Sequence, residues 1–287
     1  MAYDTDFTNK RILITGAARG IGSALAERLA NKGARVAIAG IEPDALAETA
    51  TRCGGPAFAC DVRHREDVDR AVAGAAEALG GLDIVVANAG VAAQLPIVGG
   101  DPAIFEQTFA VNVMGTYYTL RAAGPYIRHR NGYALAISSL AAAINLPLMG
   151  AYNASKAAVE VTANTLRAEL RSSGARVGVA YFAQLDTDMT TRGFSTKAAT
   201  QFSAKYPMIK VAPLEDGLSA LERGIARRSR RIVAPRWVGP LLPIRMVAQA
   251  VVERVVQRGL PEILATAEAE KVELTTVIDT EKNSLPR

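Results

Sequence analysis

The sequence predicts an α/β fold, a doubly wound parallel sheet of about seven strands with helices on both faces. Three observations carry this. Short apolar, β-branched runs alternate with longer segments of helical period. A glycine-rich turn, "TGAARGIG" at residues 15–22, follows the first such run and opens the first helix. The chain has 287 residues, 49% of them hydrophobic, enough for one large, well-buried domain.

The elements follow in order. "RILIT" from Arg11 reads as a strand, and "GIGSALAERLANKG" as a helix closed by Gly33. "RVAIAG" (strand), "PDALAETATRC" (helix) and "AFACDV" (strand) come next. "REDVDRAVAGAAEALGG" is a helix, and "LDIVVANAG" a strand running into a turn. "PAIFEQTFAVNVMGTYYTLRAAGPYI", residues 102–127, reads as one long helix before the strand "YALAISS". A second long helix begins at "AYNASK" and precedes the strand "ARVGVAYFA". Residues 186–212 mix Thr, Ser, Lys and Pro without clear periodicity. A helix at "PLEDGLSALERGIARRSR" and a last strand, "RIVAP", follow. The C-terminal extension carries one more helix, "IRMVAQAVVERVVQRG". Residues 1–265 are expected to form a single domain including that helix, and 266–287 a mobile tail.

Composition excludes several function classes. The net charge of +5 is mild, and no basic stripe is interleaved with aromatics, so nucleic acid is not expected as a partner. "RRSRR", Arg227 to Arg231, reads as a solvated helix end. Cys53 and Cys60 are too far apart for a metal knuckle, and His64 and His129 are the only histidines. No metal site is expected. Asp4 and Asp6 precede any apolar run, which argues against a signal peptide. The uncharged stretch from Asn131 to Ser155 is broken by Asn, Ser, Gly and Pro, so no membrane span is expected. A cytoplasmic protein is the expectation.

The glycine turn has a physical reading. Gly16, Gly20 and Gly22 let backbone N–H groups and a helix N-terminus meet a pyrophosphate. Dinucleotide binding is therefore expected. A carboxylate ending the second strand would select NAD over NADP. Here that strand ends at Gly40, Ile41 follows, and Glu42 is further on, where it can point away. Arg19 in the turn could reach a phosphate. The reading leans to NADP(H), with NAD(H) the alternative.

Tyr152 and Lys156, in "YNASK", stand one helical turn apart and share a face. With "TGAARGIG" and "NAG" at Asn88–Gly90, this segment resembles the short-chain dehydrogenase/reductase family. The resemblance runs from about Lys10 to about Pro235. It implies a Rossmann-type fold and a catalytic set of Asn112, Ser139, Tyr152 and Lys156. Ser138 is the rival serine; the family interval of thirteen residues selects Ser139. It implies cofactor contacts from Gly16, Arg19, Gly20, Ile21, Gly22, Asn88, Ala89 and Gly90, and from Asp61 and Val62 at the adenine. Thr187 would hold the nicotinamide carboxamide, and Tyr152 and Lys156 also face the cofactor. Phe182 and Ala183 replace the family's Pro-Gly, which implies an altered loop path.

Hydride transfer at an alcohol carbon leaves a proton to be moved. Tyr152 is the expected general acid/base, and the nearby Lys156 ammonium is expected to favour its phenolate. Ser139 would hold the substrate oxygen. The resemblance gives Lys156 the ribose hydroxyls and Asn112 a relaying water; a satisfied buried amide is the other reading of Asn112. Gln94, Asn145 and Met149, with Ala92 and Leu140, are candidates to line a mostly apolar substrate pocket. The expected activity is NAD(P)(H)-dependent interconversion of a hydrophobic secondary alcohol and its ketone. The alternatives are a reductase of C=C or C=N bonds and an inactive dinucleotide sensor. The long helices are apolar on more than one face, which predicts a homodimer or homotetramer.

Overall fold

A computed structural model describes residues 5–193, 196–207 and 210–276. The expected mobile tail therefore lies outside the described residues from 277 onward. Seven strands form one parallel sheet: β1 (Arg11–Thr15), β2 (Arg35–Gly40), β3 (Ala57–Ala59), β4 (Ile84–Ala87), β5 (Tyr133–Ile137), β6 (Arg176–Phe182) and β7 (Arg231–Ala234). Their spatial order is β3-β2-β1-β4-β5-β6-β7. The order reverses between β1 and β4, and the crevice above their C-terminal ends is where such sheets bind ligands.

The central strands are apolar without alternation because both faces are covered. In β1, Leu13 faces one core and Ile12 and Ile14 the other. One face carries α3 (Arg65–Leu79), α5 (Gly115–Ile127) and α6 (Gly150–Glu169), through Val68, Val72, Leu120, Val159 and Ala163. The other carries α1 (Gly20–Ala30), α2 (Pro43–Cys53) and α9 (Leu214–Ala226), through Leu25, Leu46 and Leu221. Each of the valines and leucines contributes on the order of 1.5–3 kcal/mol by leaving water. Cys53 and Cys60 are buried free thiols.

The structure departs from the sequence expectation in three places. The expected single helix over 102–127 is α4 (Pro102–Phe109), a π-helical turn (Ala110–Met114) and α5. The wider turn adds a residue and directs Asn112 inward, where it is fully buried. Residues 186–212 contain α7 (Asp188–Gly193) and α8 (Lys197–Lys205). Their order comes from capping rather than periodicity. Thr196 Oγ1 accepts from Ala199 N at 3.1 Å, and the distant Glu270 carboxylate accepts from Lys197 N and Ala198 N at 2.7 and 3.0 Å.

The third departure is the C-terminal extension. It holds α10 (Val238–Leu241), α11 (Arg245–Val256) and α12 (Leu260–Glu268) rather than one helix. Gly259, at φ +85°, separates the last two. In α12, Ile263 and Ala267 pack with Leu148 and with Ala198 of α8. The extension thus builds onto the 186–212 segment. No helix among the described residues is long and apolar enough to cross a membrane.

Candidate active site

A cleft opens at the reversal of strand order. The turn after β1 forms its floor. Gly16 has φ +64°, and a Cβ there would stand 2.5 Å from Ala89 Cα, so only glycine fits. Gly20 has φ +60° and open space where a Cβ would point. Gly22 does not line the cleft; its missing side chain lets α1 approach the Gly16 carbonyl and the Asn88 side chain. Asn88 Nδ2 donates to the carbonyls of Thr15 and Gly16, both at 3.0 Å, and so ties the two turns together. Ile21, Ala89 and Gly90 line the same wall.

These residues fit a dinucleotide. The first turn of α1 has no side-chain cap, so its N–H groups are left for an anion. The cleft, its open mouth included, encloses about 1270 Å³. Asp61 and Val62 line it where the adenine is expected. The Asp61 carboxylate is already paired with Arg63, at 2.6 Å from Nη2. Arg63 Nη1 is buried beside the cleft with no hydrogen-bond partner, an unused donor for a ligand.

Glu42 does not point away. It lines the cleft and accepts from Arg19 Nε at 3.0 Å. Arg19 also donates through Nη2 to Thr276 Oγ1 at 2.6 Å and to the Thr275 carbonyl at 3.3 Å. Asp188 Oδ2 lies 4.0 Å from its Nη1. The guanidinium expected to await a phosphate is thus held among two carboxylates and the C-terminal segment.

Beyond β5 the structure brings Ser139, Tyr152 and Lys156 to one wall of this cleft. Ser139 caps a short turn: its Oγ accepts from Ala141 N at 3.1 Å and donates to the Phe182 carbonyl at 3.3 Å. The Ser138 hydroxyl is spent on the Lys156 carbonyl at 2.8 Å, which anchors α6 to the strand end. Lys156 is 4% exposed, and its Nζ donates to the Ile137 carbonyl at 3.0 Å. Burial lowers its pKa to about 8. Burial also pushes the Tyr152 phenol up, and a hydrogen bond with Ser139 offsets part of that rise. The expected lowering of the phenol is therefore not found, because desolvation outweighs the hydrogen bond from Ser139.

Asn112 stands behind this wall, outside the cleft. Its Nδ2 donates to Val91 O and to Ser155 Oγ, both at 2.9 Å, and its Oδ1 accepts from Val91 N at 2.8 Å. The amide is satisfied by protein and pins α6 to the segment after β4. A Cβ on Gly90 would lie 3.3 Å from both Asn112 Oδ1 and Lys156 Nζ, so glycine there permits their approach. Thr187 lines the cleft, with Phe182 and Ala183. The altered loop path reads as continued strand pairing: Ala183 N donates to Ala234 O at 2.9 Å.

Of the expected substrate residues, Ser139 and Tyr152 line this cleft, whereas Gln94, Asn145 and Met149 do not. Gln94 is buried, with Oε1 lacking a partner, and Met149 is buried near Leu95. Asn145 is exposed, and its backbone N–H donates to Gln249 of α11 at 2.7 Å. In their place Leu185 and Met189 line the cleft. Sequence reasoning also missed Arg63, although it directly follows Asp61 and Val62. It missed Thr275 and Thr276, for which no local signal exists.

The family described as short chain dehydrogenase matches residues 10–198. An Arabidopsis thaliana 11-beta-hydroxysteroid dehydrogenase-like protein is 31% identical over 254 residues, covering 86% of this chain and 80% of that protein. A D-threitol dehydrogenase of Mycolicibacterium smegmatis is 35% identical over 185 residues, covering 62% of this chain and 71% of that one. A crystal structure of a dehydrogenase/reductase from Sinorhizobium meliloti 1021 aligns with a TM-score of 0.71 and 26% identity, over 80% of this chain and 95% of that one. The family match spans the glycine turn, the Asn88–Gly90 turn and the Tyr152–Lys156 helix alike, and this chain belongs to the short chain dehydrogenase family.

Proposed function

We propose that this oxidoreductase interconverts a hydrophobic secondary alcohol and its ketone with a nicotinamide dinucleotide. One observation carries the reading: Ser139, Tyr152 and the buried Lys156 line a single cleft together with the glycine turn. The nicotinamide cofactor, when bound there, supplies or accepts the hydride. In oxidation Tyr152 Oη takes the hydroxyl proton as the C–H bond breaks and the C=O bond forms. In reduction it returns that proton to the substrate oxygen. Ser139 Oγ, beside the phenol, donates to the same oxygen and orients it. Lys156 brings a cation beside the phenol and favours its deprotonated form once water is excluded. Asn112 is a positioning residue that acts through Val91 and Ser155.

Phe182, Leu185 and Met189 on the lining support an apolar substrate. The end of β2 alone leans to NADP(H). Glu42, turned into the cleft, would face a 2′-phosphate and could instead accept from a ribose hydroxyl, which supports NAD(H). Cofactor fluorescence combined with a panel of alcohols and ketones tests the activity. Oxidation of an alicyclic or aromatic secondary alcohol supports it. Binding with no turnover indicates a sensor, and turnover of enones or imines alone indicates the other reductase class.

A further inference from the structure

We propose that the segment Leu274–Thr276 is the outer wall of the dinucleotide site and governs cofactor release. The inference rests on the reading that this cleft binds a dinucleotide. Thr275 is 3% exposed, unusual for a polar residue outside the helices and strands. It is clasped to Ala92 by two hydrogen bonds. Its N–H donates to Ala92 O at 3.1 Å, and its Oγ1 accepts from Ala92 N at 3.0 Å. On the opposite side Arg19 holds the Thr275 carbonyl and the Thr276 hydroxyl.

These two anchors define the placement. Ala92 belongs to the segment after β4, and Arg19 to the turn after β1. The strands are neighbours, and the cleft lies above their ends. A segment fastened to both spans the cleft, and Thr275 and Thr276 line it. The N-terminal end of the segment is also fixed. Leu274 packs against the core, and Glu270, four residues earlier, caps α8. The wall and the α7–α8 segment are therefore joined through one short stretch of chain.

The glycine turn, the Asn88–Gly90 turn and this segment together surround the expected pyrophosphate region. A ligand bound beneath the segment leaves only after the Ala92 clasp or the Arg19 contacts open. The clasp depends on a hydroxyl at residue 275, since Ala92 N has Oγ1 as its acceptor. Valine has the same shape without that acceptor.

The test is stopped-flow release of NADH and of NADPH from the full-length protein, chased with excess oxidised cofactor and followed by fluorescence. Thr275→Val is expected to speed release by roughly fivefold to tenfold, the effect of one lost buried hydrogen bond. Thr275→Ser should restore the parent rate, and Thr275→Val combined with Thr276→Ala should release faster still. Dissociation constants should rise in parallel. Release within twofold of the parent in the double variant overturns the proposal, as does tighter binding, which would make the segment a plug rather than a wall. A parent protein that binds neither cofactor sinks the dinucleotide reading itself. Thermal melts of each variant separate these outcomes from loss of folding.

Discussion

The Lys156 ammonium lies 5.5 Å from the centre of the Tyr152 ring, one turn further along α6. Its pKa falls from 10.5 to about 8 because it is buried. The ammonium is thus a charge that its surroundings disfavour. Below pH 8 the folded and unfolded chains are both protonated there, and the cost is fully present. Between pH 8 and 10.5 the unfolded chain binds more protons, so this group makes stability rise with pH. Above 10.5 the cost is gone.

Lys156→Met should therefore stabilise the cofactor-free protein at neutral pH by up to roughly 3 kcal/mol, at about 1.4 kcal/mol per pKa unit. The Ile137 carbonyl, left without its donor, offsets part of that gain. Urea unfolding of both proteins at pH 7 and pH 10 checks it. The difference should shrink at the higher pH; a variant less stable at both values would show that the ammonium is well accommodated.

Tyr152→Phe should lower kcat by about 10²–10⁴-fold, the range for a positioned acid or base. The cofactor dissociation constant should stay within about twofold, since the phenyl ring is kept. Steady-state kinetics with a ketone and fluorescence titration measure the two quantities. Wild-type kcat in the variant would remove Tyr152 from proton transfer.

Glu42→Ala should remove the carboxylate that would face a 2′-phosphate and release Arg19 Nε, shifting the ratio of kcat/KM toward NADP(H) by roughly tenfold, about 1.4 kcal/mol. The parent should prefer NAD(H). A parent preference for NADP(H) that the substitution leaves unmoved would mean that Arg19 parts from Glu42 on binding.

Phe105, Met114, Tyr117 and Val161 are each more than a third exposed on α4, the π-helical turn, α5 and α6. Apolar side chains so grouped call for a cover, and a second copy supplies one by two-fold symmetry. Light scattering at micromolar concentration should give a dimer or tetramer mass. A mass near 30.3 kDa would refute this. Val161→Glu, in the middle of α6, should dissociate the assembly.

The sequence by itself determined the beat of strands and helices, because each element carries its own apolar period. It determined the glycine turn, whose φ values are local, and the shared face of Tyr152 and Lys156, which one helix enforces. It also placed α2 at Pro43–Cys53, bounded by a proline and by Gly54 at φ +64°. The tertiary structure decided what depends on partners far along the chain. The π-helical turn shows in no pattern, since its reason is Asn112 reaching Val91 and Ser155. Helix α8 needs the Glu270 carboxylate. Glu42 turns inward because Arg19 meets it there. The phenol of Tyr152 rises because burial, unlike spacing, is a property of everything packed around it. Thr275 finds Ala92 across 183 residues, and no local propensity encodes a contact of that separation.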